Sequence, residues 1–395
     1  MSLNAALVLN AGSSSLKFAL FRLAGGKKLV QGQVEGIGVH PHFVAFDAGH
    51  AKIDEWQHAG AAESHEALLE QLLAWVDAHL AAARLVCVGH RVVHGGAEFS
   101  APVRITTEIL AKLETLIPLA PLHEPHNLAP IRAITAIRPE LPQIACFDTG
   151  FHATLPHLAT QFALPREITA QGVRRYGFHG LSFDHIAHLL QTTEPTLFAS
   201  RVIVAHLGNG ASLCAMQGGR SVDVTTGFSA LDGLMMGTRC GSIDPGVLLY
   251  LMQHCGMNAA AIEDLLYKHS GLLGVSGLSF DLRELHGTPA GEAAIDLFVY
   301  RAAREAAALI GSLGGLDALI FTAGIGEHDA VVRAAICARL AWIGVQIDAE
   351  ANAAQARDIT AQGSRLRVLV IPADEEAAIL RHMREVLSST LRASP

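Results

Sequence analysis

The alternation of apolar and polar positions at the start of the chain predicts a three-stranded meander. The segment LVLNAGSSSLKF, residues 7–18, places a turn of small residues between two apolar runs, and a third run, KKLVQGQVEGIGV, follows at 27–39. Small residues beside Lys17 suggest a phosphate site, but both common phosphate loops run from a strand into a helix. No helical period follows this turn, so we expect a β-hairpin instead.

The same pattern returns in the middle of the chain. Residues 201–228, RVIVAHLGNGASLCAMQGGRSVDVTTGF, again predict strand, glycine-rich turn, strand, turn and strand, and residues 204–216 are similar to residues 8–20. Helical patterns and further apolar strands follow each copy. We therefore predict an α/β protein with two similar domains, each a mixed sheet flanked by helices, and a cleft between them.

Elements outside the meanders follow from period and length. The segment SHEALLEQLLAWVDAHLAAA, 64–83, has apolar residues at helical spacing, with Ser64 as the expected N-cap. Further helices are predicted near 259–269, 292–312, 329–342 and 375–390. Buried strands are predicted in RLVCVGHRVVHGG, QIACFDTGFH, DALIFTAG and RLRVLVIPAD.

Composition narrows the class of protein. The chain has 395 residues, 50% of them hydrophobic and 17% charged, with a formal net charge of −8. That length suits two domains with their own cores, and the negative charge argues against nucleic acid or an anionic membrane as the main partner. Six cysteines without a C-x-x-C pair indicate a reducing, cytoplasmic compartment. Neither a signal peptide nor a membrane span is expected, since the start lacks the signal pattern and Asp317 and glycines interrupt the apolar stretch 307–326.

Four glycine-rich turns carry the candidate chemistry: NAGSSS, HLGNGAS, GTRCGS and TAGIGEH. Each could serve only to turn the chain. Three of them, however, follow apolar strands, where backbone N–H groups can bind anions. Lys17, Arg91 and Arg239 lie in or beside these segments and strand ends. Since Walker and G-x-S-x-G motifs are absent from the sequence, the set favours a different kind of phosphate-handling cleft.

Two carboxylates extend this hypothesis. Asp148 and Glu375 each come shortly after a buried strand, where they would either cap local structure or hold Mg²⁺ together with phosphates and water. A zinc site at His90 and His94 is disfavoured, because Arg91 lies between them in a strand-like run and strand residues four apart do not converge as on a helix. The residues alone thus indicate a two-domain enzyme that moves a phosphoryl group between small molecules.

The motifs also resemble a known family. The chain is similar, nearly from end to end, to the acetate kinases, whose superfamily includes actin, sugar kinases and heat-shock chaperone ATPases. The resemblance rests on LVLNAGSSSLKF, VGHRVVHGG, PLAPLHEPHNL, FDTGFH, RRYGFHGLSFDHI, AHLGNGAS, GFSALDGLMMGTRCGSIDPG, FTAGIGEH and IPADEEAAI. It implies two ribonuclease-H-like (actin-like ATPase) domains: an N-terminal one of residues 1–148 and about 381–395, and a nucleotide-binding one of residues 149–380.

The activity that the resemblance implies is in-line transfer of the γ-phosphoryl group of ATP to acetate, giving acetyl phosphate and ADP. Mg²⁺ is the expected metal, with Mn²⁺ as an alternative, and a homodimer is the expected assembly. Propionate or another short-chain acyl group is the alternative acceptor. A nucleotide-switched binding protein without catalysis is the alternative from another class.

Residue roles carry over motif by motif. The carboxylate and the transferring phosphoryl group would be bound by Arg91, Arg239, His179 and Asn209. The metal would be served by Asn10, Glu375 and Asp148, and the phosphates would lie near Ser13, Ser15 and Lys17. The nucleotide set comprises His206, Leu207, Gly208, Asn209, Gly210, Asp281, Leu282, Arg283, Gly324, Ile325, Gly326, Glu327 and His328. The small acyl pocket comprises Val93, Leu122 and Phe178.

Elementary chemistry agrees with these residue types. A loose phosphoryl-transfer transition state spreads charge over equatorial oxygens, so positioning and positive charge dominate catalysis. Arginine offers a planar fork that fits carboxylate and phosphoryl oxygens, which lysine does not. A carboxylic acid with a pKa near ~4 is already ionised at neutral pH. No general base is needed, and Asp148 is better interpreted as an organiser of the metal or of an arginine.

The chain departs from the family pattern at four positions. His328 replaces the usual asparagine of GIGEN, and Leu282 replaces the usual aromatic residue of the adenosine motif. Both lie near the expected base site, so the preference for ATP over other nucleotides stays open. Asp374 replaces the asparagine before the acidic pair. Ala230 replaces a proline beside the acyl pocket, which it could enlarge slightly.

Overall fold

The computed structural model describes residues 3–12, 15–57, 65–80 and 83–393. The chain forms two compact units, Met1–Gly150 with Asp374–Pro395 and Phe151–Ala373. The last helix, Glu375–Ala393, packs against the sheet of the first unit and belongs to it throughout. From the sequence we expected the chain to re-enter this domain at about residue 381. In the structure it does so at Asp374.

A mixed sheet of eight strands forms the first unit. Its strands are β1 (Leu3–Ala11), β2 (Ser15–Arg22), β3 (Lys28–Glu35), β4 (His42–Asp47), β5 (Lys52–Gln57), β6 (Ala83–Val92), β7 (Val103–Arg104) and β8 (Gln143–Phe147). Their order is β5-β4-β3-β2-β1-β6-β8-β7. The meander β1 to β5 is antiparallel, whereas β1, β6 and β8 run parallel. The helices are α1 (His65–His79), α2 (Thr107–Glu114), α3 (Glu124–Ile137) and, from the end of the chain, α16 (Glu375–Ala393), with a 3₁₀ turn at Ile117–Leu119.

The second unit repeats this arrangement with five strands. They are β9 (Arg201–Leu207), β10 (Ala211–Gln217), β11 (Arg220–Val224), β12 (Ala318–Thr322) and β13 (Arg367–Val370), in the order β11-β10-β9-β12-β13. Pairing is antiparallel up to β9 and parallel from β9 through β12 to β13. This is the succession of β3-β2-β1-β6-β8 in the first sheet, so the predicted duplication of a meander followed by parallel strands is confirmed.

Helices surround the second sheet. They are α4 (His157–Thr160), α5 (Arg166–Thr169), α6 (Gly180–Thr193), α7 (Pro195–Phe198), α8 (Pro245–Gln253), α9 (Ala259–Lys268), α10 (Gly271–Ser276), α11 (Leu282–Leu285), α12 (Pro289–Leu313), α13 (Ala323–His328), α14 (Ala330–Arg339) and α15 (Ala349–Ala353), with 3₁₀ turns at Gly150–Thr154 and Ala341–Ile343. The longest, α12, begins at the N-cap Thr288, whose side chain accepts from Gly291 N–H, and ends at Gly314 in the left-handed region. Its apolar stripe packs on the second sheet, as a 3.6-residue period requires.

The opening hairpin has the predicted form. In the antiparallel register Asn10 lies opposite Lys17, so the two side chains share a face. Gly12 N–H donates to the Ser15 carbonyl at 2.7 Å, which closes the turn. Ser13, expected near the phosphates, lies outside the described residues, as does the expected N-cap Ser64.

Candidate active site

Four polar side chains meet at one edge of the first sheet. The Arg91 guanidinium donates to both carboxylate oxygens of Asp148, with N–O distances of 3.1, 3.0 and 2.5 Å. It also donates to Asn10 Oδ1 at 3.1 Å, and its Nε lies 3.7 Å from Glu375 Oε2. Asn10 Nδ2 lies 3.5 Å from the same Glu375 oxygen. The structure thus brings together Asn10, Arg91, Asp148 and Glu375, which we call the arginine–carboxylate cluster.

Strand direction explains why these residues meet. Asn10 and Arg91 are near the carboxyl ends of β1 and β6, and Asp148 directly follows β8. Because the three strands are parallel, their carboxyl ends share one edge of the sheet, where ligands bind in α/β proteins. Asp148 N–H continues the ladder by donating to Val92 C=O at 3.0 Å. Glu375 is the first residue of α16, where a carboxylate faces favourable helix-end charge.

Burial and charge act together on this cluster. Burial opposes the charged form of Arg91, but the carboxylates of Asp148 and Glu375 outweigh it and raise the pKa of the guanidinium. Burial, followed by the charges of Glu375 and Asp374, raises the pKa of Glu376. The Asp148 side chain is only 1% exposed. The cluster therefore holds a permanently charged arginine against a buried carboxylate.

The donor set of this cluster fits a hard cation. Carboxylate and amide oxygens from Asn10, Asp148 and Glu375 are the ligands that magnesium prefers, and magnesium keeps waters and phosphates as its remaining ligands. Among the described residues, no group of three His, Cys, Asp or Glu side chains is arranged to hold a metal by itself. The cluster suits a cation that arrives with phosphate rather than one caged by protein.

A second group of polar residues lies around the turn between β9 and β10. A Cβ atom at Gly210 would lie 2.8 Å from Arg239 Nη2 and 3.0 Å from His179 Nε2, so both side chains cover this glycine. A Cβ at Gly237 would lie 2.0 Å from Asn209 Oδ1, which places that amide against the turn containing Arg239. The structure thus brings His179, Asn209 and Arg239 together, within the second unit.

His179 is held in a strained conformation. Its φ of 59° and ψ of 23° are left-handed, which is uncommon for a residue with a Cβ. Its Nδ1 is 2.8 Å from Ser212 Oγ, and its ring stacks on His206 with centroids 4.4 Å apart. His206 in turn lies 2.8 Å from Ser182 Oγ. Nε2 of His179 is the ring nitrogen that faces Gly210.

A cavity of about 680 Å³ in the second unit collects most of the predicted nucleotide residues. Its lining comprises Gly208, Asn209, Phe280, Asp281, Leu282, Arg283, His286, Gly324, Ile325, His328, Asp329, Ala330 and Val331. Five expected residues lie outside that lining: His206, Leu207, Gly210, Gly326 and Glu327. Leu207 is fully buried in the core, and Glu327 uses Oε1 to accept from Ala373 N–H at 2.9 Å.

The predicted acyl residues are buried or half-buried. Val93 is 4% exposed and Leu122 is half-buried, both in the first unit. Phe178 is 2% exposed in the second unit, and its N–H donates to Thr226 Oγ1 at 2.9 Å. Ala230, one of the four departures from the family pattern, accepts from Arg239 Nη1 at 2.6 Å through its carbonyl oxygen. An interaction through the backbone tolerates any side chain, proline included.

A family model for the acetokinase family matches residues 5–381. The chain belongs to the acetokinase family. It is 51% identical over 387 residues to an acetate kinase of Rhodopseudomonas palustris, covering 95% of this chain and 97% of that protein. An acetate kinase structure from Porphyromonas gingivalis matches with a TM-score of 0.87 at 37% identity, covering 97% of this chain and all of that one. A propionate kinase structure from Francisella tularensis matches with a TM-score of 0.88 at 38% identity, covering 96% and 99%.

These likenesses confirm the predicted fold class of this acetokinase-family chain, two mixed α/β units of the actin-like ATPase type. Within the described part of the chain, no helix is both long and apolar enough to cross a membrane.

Sequence reasoning missed one polar contact beneath the nucleotide cavity. Arg333, fully buried on α14, donates to the carbonyls of Gly326 and Glu327 at 3.0 and 2.8 Å, and to Asn352 Oδ1 and O at 2.8 Å each. It thereby binds the carbonyl end of α13, the GIGE turn. One signal was available: Arg333 lies between Val332 and Ile336 on the apolar face of its helix.

Proposed function

We propose that this chain is an acetate kinase that transfers the γ-phosphoryl group of ATP to acetate, forming acetyl phosphate and ADP. The observation that carries the proposal is the arginine–carboxylate cluster at the carboxyl edge of β1, β6 and β8, in a chain of the acetokinase family. Curated relatives named acetate kinase support the choice of acceptor.

In this proposal the protein works by binding and orienting. Arg91 and Arg239 hold the acetate carboxylate and the transferring phosphoryl oxygens, and His179 and Asn209 donate to oxygens whose charge grows in the transition state. Acetate is already ionised at neutral pH, so no residue has to remove a proton. Asp148 keeps the Arg91 guanidinium oriented through its paired hydrogen bonds.

The metal of this reaction would be held by Asn10 and Glu375, with Asp148 beside them. Mg²⁺ is the proposed ion and Mn²⁺ the alternative, because both accept oxygen ligands. When bound, such a cation neutralises phosphate charge. The adenosine would occupy the cavity of the second unit beside Asp281 and Ile325.

The direct test is a hydroxamate trap for acetyl phosphate with ATP, Mg²⁺ and acetate. Product above the no-enzyme blank is expected, and R239A should lose about 10²–10³-fold in kcat, as other oxyanion donors do. A protein that binds nucleotide but yields no product under these conditions would instead be a nucleotide-switched binding protein.

Propionate is a second candidate acceptor, since a propionate kinase structure matches this chain as well as the acetate kinase structure does. One methylene is worth only ~1–3 kcal/mol in an apolar pocket, so we expect propionate to be a poorer substrate rather than an excluded one. The V93A variant should raise kcat/KM for propionate relative to acetate. Wild-type preference for propionate would refute the assignment of acetate.

A homodimer in the cytoplasm completes the proposal. Support for the dimer comes from α8. None of its nine residues is buried, and its large apolar side chains Leu249 and Tyr250 are 52% and 58% exposed. An apolar helix surface of this kind is typical of subunit interfaces. Light scattering should report a dimer for the wild type and a monomer for L249E/Y250E. All six cysteines are free thiols, which suits a reducing compartment.

A further inference from the structure

A buried amide bridges two strands next to the arginine–carboxylate cluster. Asn127, on the first turns of α3, is 2% exposed. Its Oδ1 accepts from Val93 N–H at 2.9 Å, and its Nδ2 donates to the Ala11 carbonyl at 2.6 Å. Both partners belong to the backbone, so the contact depends on chain position rather than on neighbouring side chains.

The bridge lies where two parallel strands lose contact. The β1–β6 ladder ends at the pair Leu9 and His90. Beyond that pair, Ala11 and Val93 carry a buried carbonyl and a buried N–H that need partners. A carboxamide has the same donor and acceptor as a peptide group, so Asn127 takes the place of the missing ladder hydrogen bonds.

Each end of the bridge is covalently close to a proposed functional residue. Ala11 directly follows Asn10, and Val93 is two residues beyond Arg91 and itself a proposed wall of the acyl pocket. Glu124, one turn earlier on α3, accepts from the next backbone group, His94 N–H, through Oε2 at 3.3 Å. The start of α3 therefore fixes the path of both strand ends.

We propose that Asn127 is a positioning residue that sets the Val93 wall of the acyl pocket and the Asn10 end of β1, and thereby the discrimination between acetate and propionate. The inference rests on the proposed function and deepens it. Loss of the Val93 contact frees the pocket wall, which weakens the exclusion of the extra methylene. Loss of the Ala11 contact alone disturbs Asn10 and leaves the wall in place.

Two variants separate these contacts. In N127A both are lost, and the ratio of kcat/KM for acetate to that for propionate should fall about 3–10-fold. In N127D the acceptor for Val93 remains, while the second oxygen opposes the Ala11 carbonyl. Here kcat should fall roughly 10-fold with the ratio kept within about twofold.

Gln143 supplies a matched control. It is a buried amide that joins the same helix to the same sheet. Its Nε2 donates to Ile131 C=O, and its Oε1 accepts from His90 Nε2. Q143L should lower the thermal midpoint without moving the substrate ratio, as a merely structural amide would.

The outcomes distinguish this inference from the proposed function. A wild type that makes no acetyl phosphate refutes the proposed function, and the inference falls with it. With an active wild type, an unchanged ratio in N127A, or a change in Q143L as large as in N127A, overturns the inference alone. If N127A does not fold, N127D decides: wild-type kcat, or a substrate ratio shifted as N127A predicts, refutes the positioning role.

Discussion

Replacing Arg91 by alanine should lower both the free energy of unfolding and kcat, and the two losses have different causes. The side chain makes three hydrogen bonds to Asp148 and one to Asn10. Removing one member of a buried ion pair leaves the other charge uncompensated, at a cost of about 3–5 kcal/mol. For a unit of this size that corresponds to a thermal midpoint lower by about 6–20 °C. Loss of the transition-state contact should add a fall of about 10²–10³ in kcat.

The double variant R91A/D148N tells the two effects apart. Asparagine has the shape of aspartate without its charge, so the double variant should recover about 2 kcal/mol or more of the lost stability. It should recover no catalysis, because the group proposed to bind the phosphoryl and acyl oxygens is still missing. D148N alone measures the value of the carboxylate when the arginine is present.

Tryptophan fluorescence can follow the relevant unit by itself. Trp56 and Trp75 lie in the first unit and Trp342 in the second, where it is 68% exposed. A W342F background therefore makes urea unfolding curves report on the unit that holds Arg91, and the hydroxamate trap reports kcat on the same samples. Wild-type stability in R91A, or turnover restored in the double variant, would refute this account.

Three further outcomes follow from the same structure. R333K should raise KM for ATP about tenfold and leave KM for acetate unchanged, since a lysine cannot make all four contacts of the buried guanidinium. The control R339K, on the exposed side of α14, should change neither KM. Burial lowers the pKa of His90 from 6.5 to about 4, so its contribution to stability is lost as pH falls from about 6.5 toward 4. Burial likewise lowers the pKa of His94 and of His152 to about 4, so three imidazoles oppose the two carboxyls whose pKa burial raises, Glu124 (to about 8) and Glu376. The thermal midpoint should therefore drop over that range, and H90Q should flatten the slope. H179G and H179A lose the same ring, but the free energy of unfolding of H179G should be about 1 kcal/mol larger, because glycine accepts φ of 59°. Equal free energies of unfolding in the two variants would contradict strain at this residue.

Much of the fold was predictable because period and turn chemistry are local. Both meanders, the parallel strands that follow them and the long helices appear where the hydrophobic pattern placed them. Arg91 and Asp148 were predictable as neighbours, since each stands near the end of a buried strand. The residue at which the chain re-enters the first unit was not predictable. The hydrophobic pattern shows that α16 buries one face, but it does not show which sheet that face packs against.

The residues missed by sequence reasoning share a physical cause. Asn127 bonds to a residue 116 positions away, and Arg333 to Asn352, 19 positions away, so no local pattern reports the contact. Both satisfy backbone groups that become buried only after the sheet or the turn has formed. A polar residue on the apolar face of a predicted helix was the one signal, and it indicates burial without naming the partner.

The two groups of residues differ in charge, and that difference assigns them different tasks. In the first unit, one guanidinium meets two carboxylates, Asp148 and Glu375, and the excess carboxylate charge attracts a cation. In the second unit, Arg239, His179 and Asn209 meet around the turn at Gly210, and their N–H donors suit phosphoryl oxygens. A nucleotide without its divalent cation matches only the second group. We therefore expect chelation of the metal to weaken turnover far more than it weakens binding of adenosine, whose cavity lies among residues of the second unit.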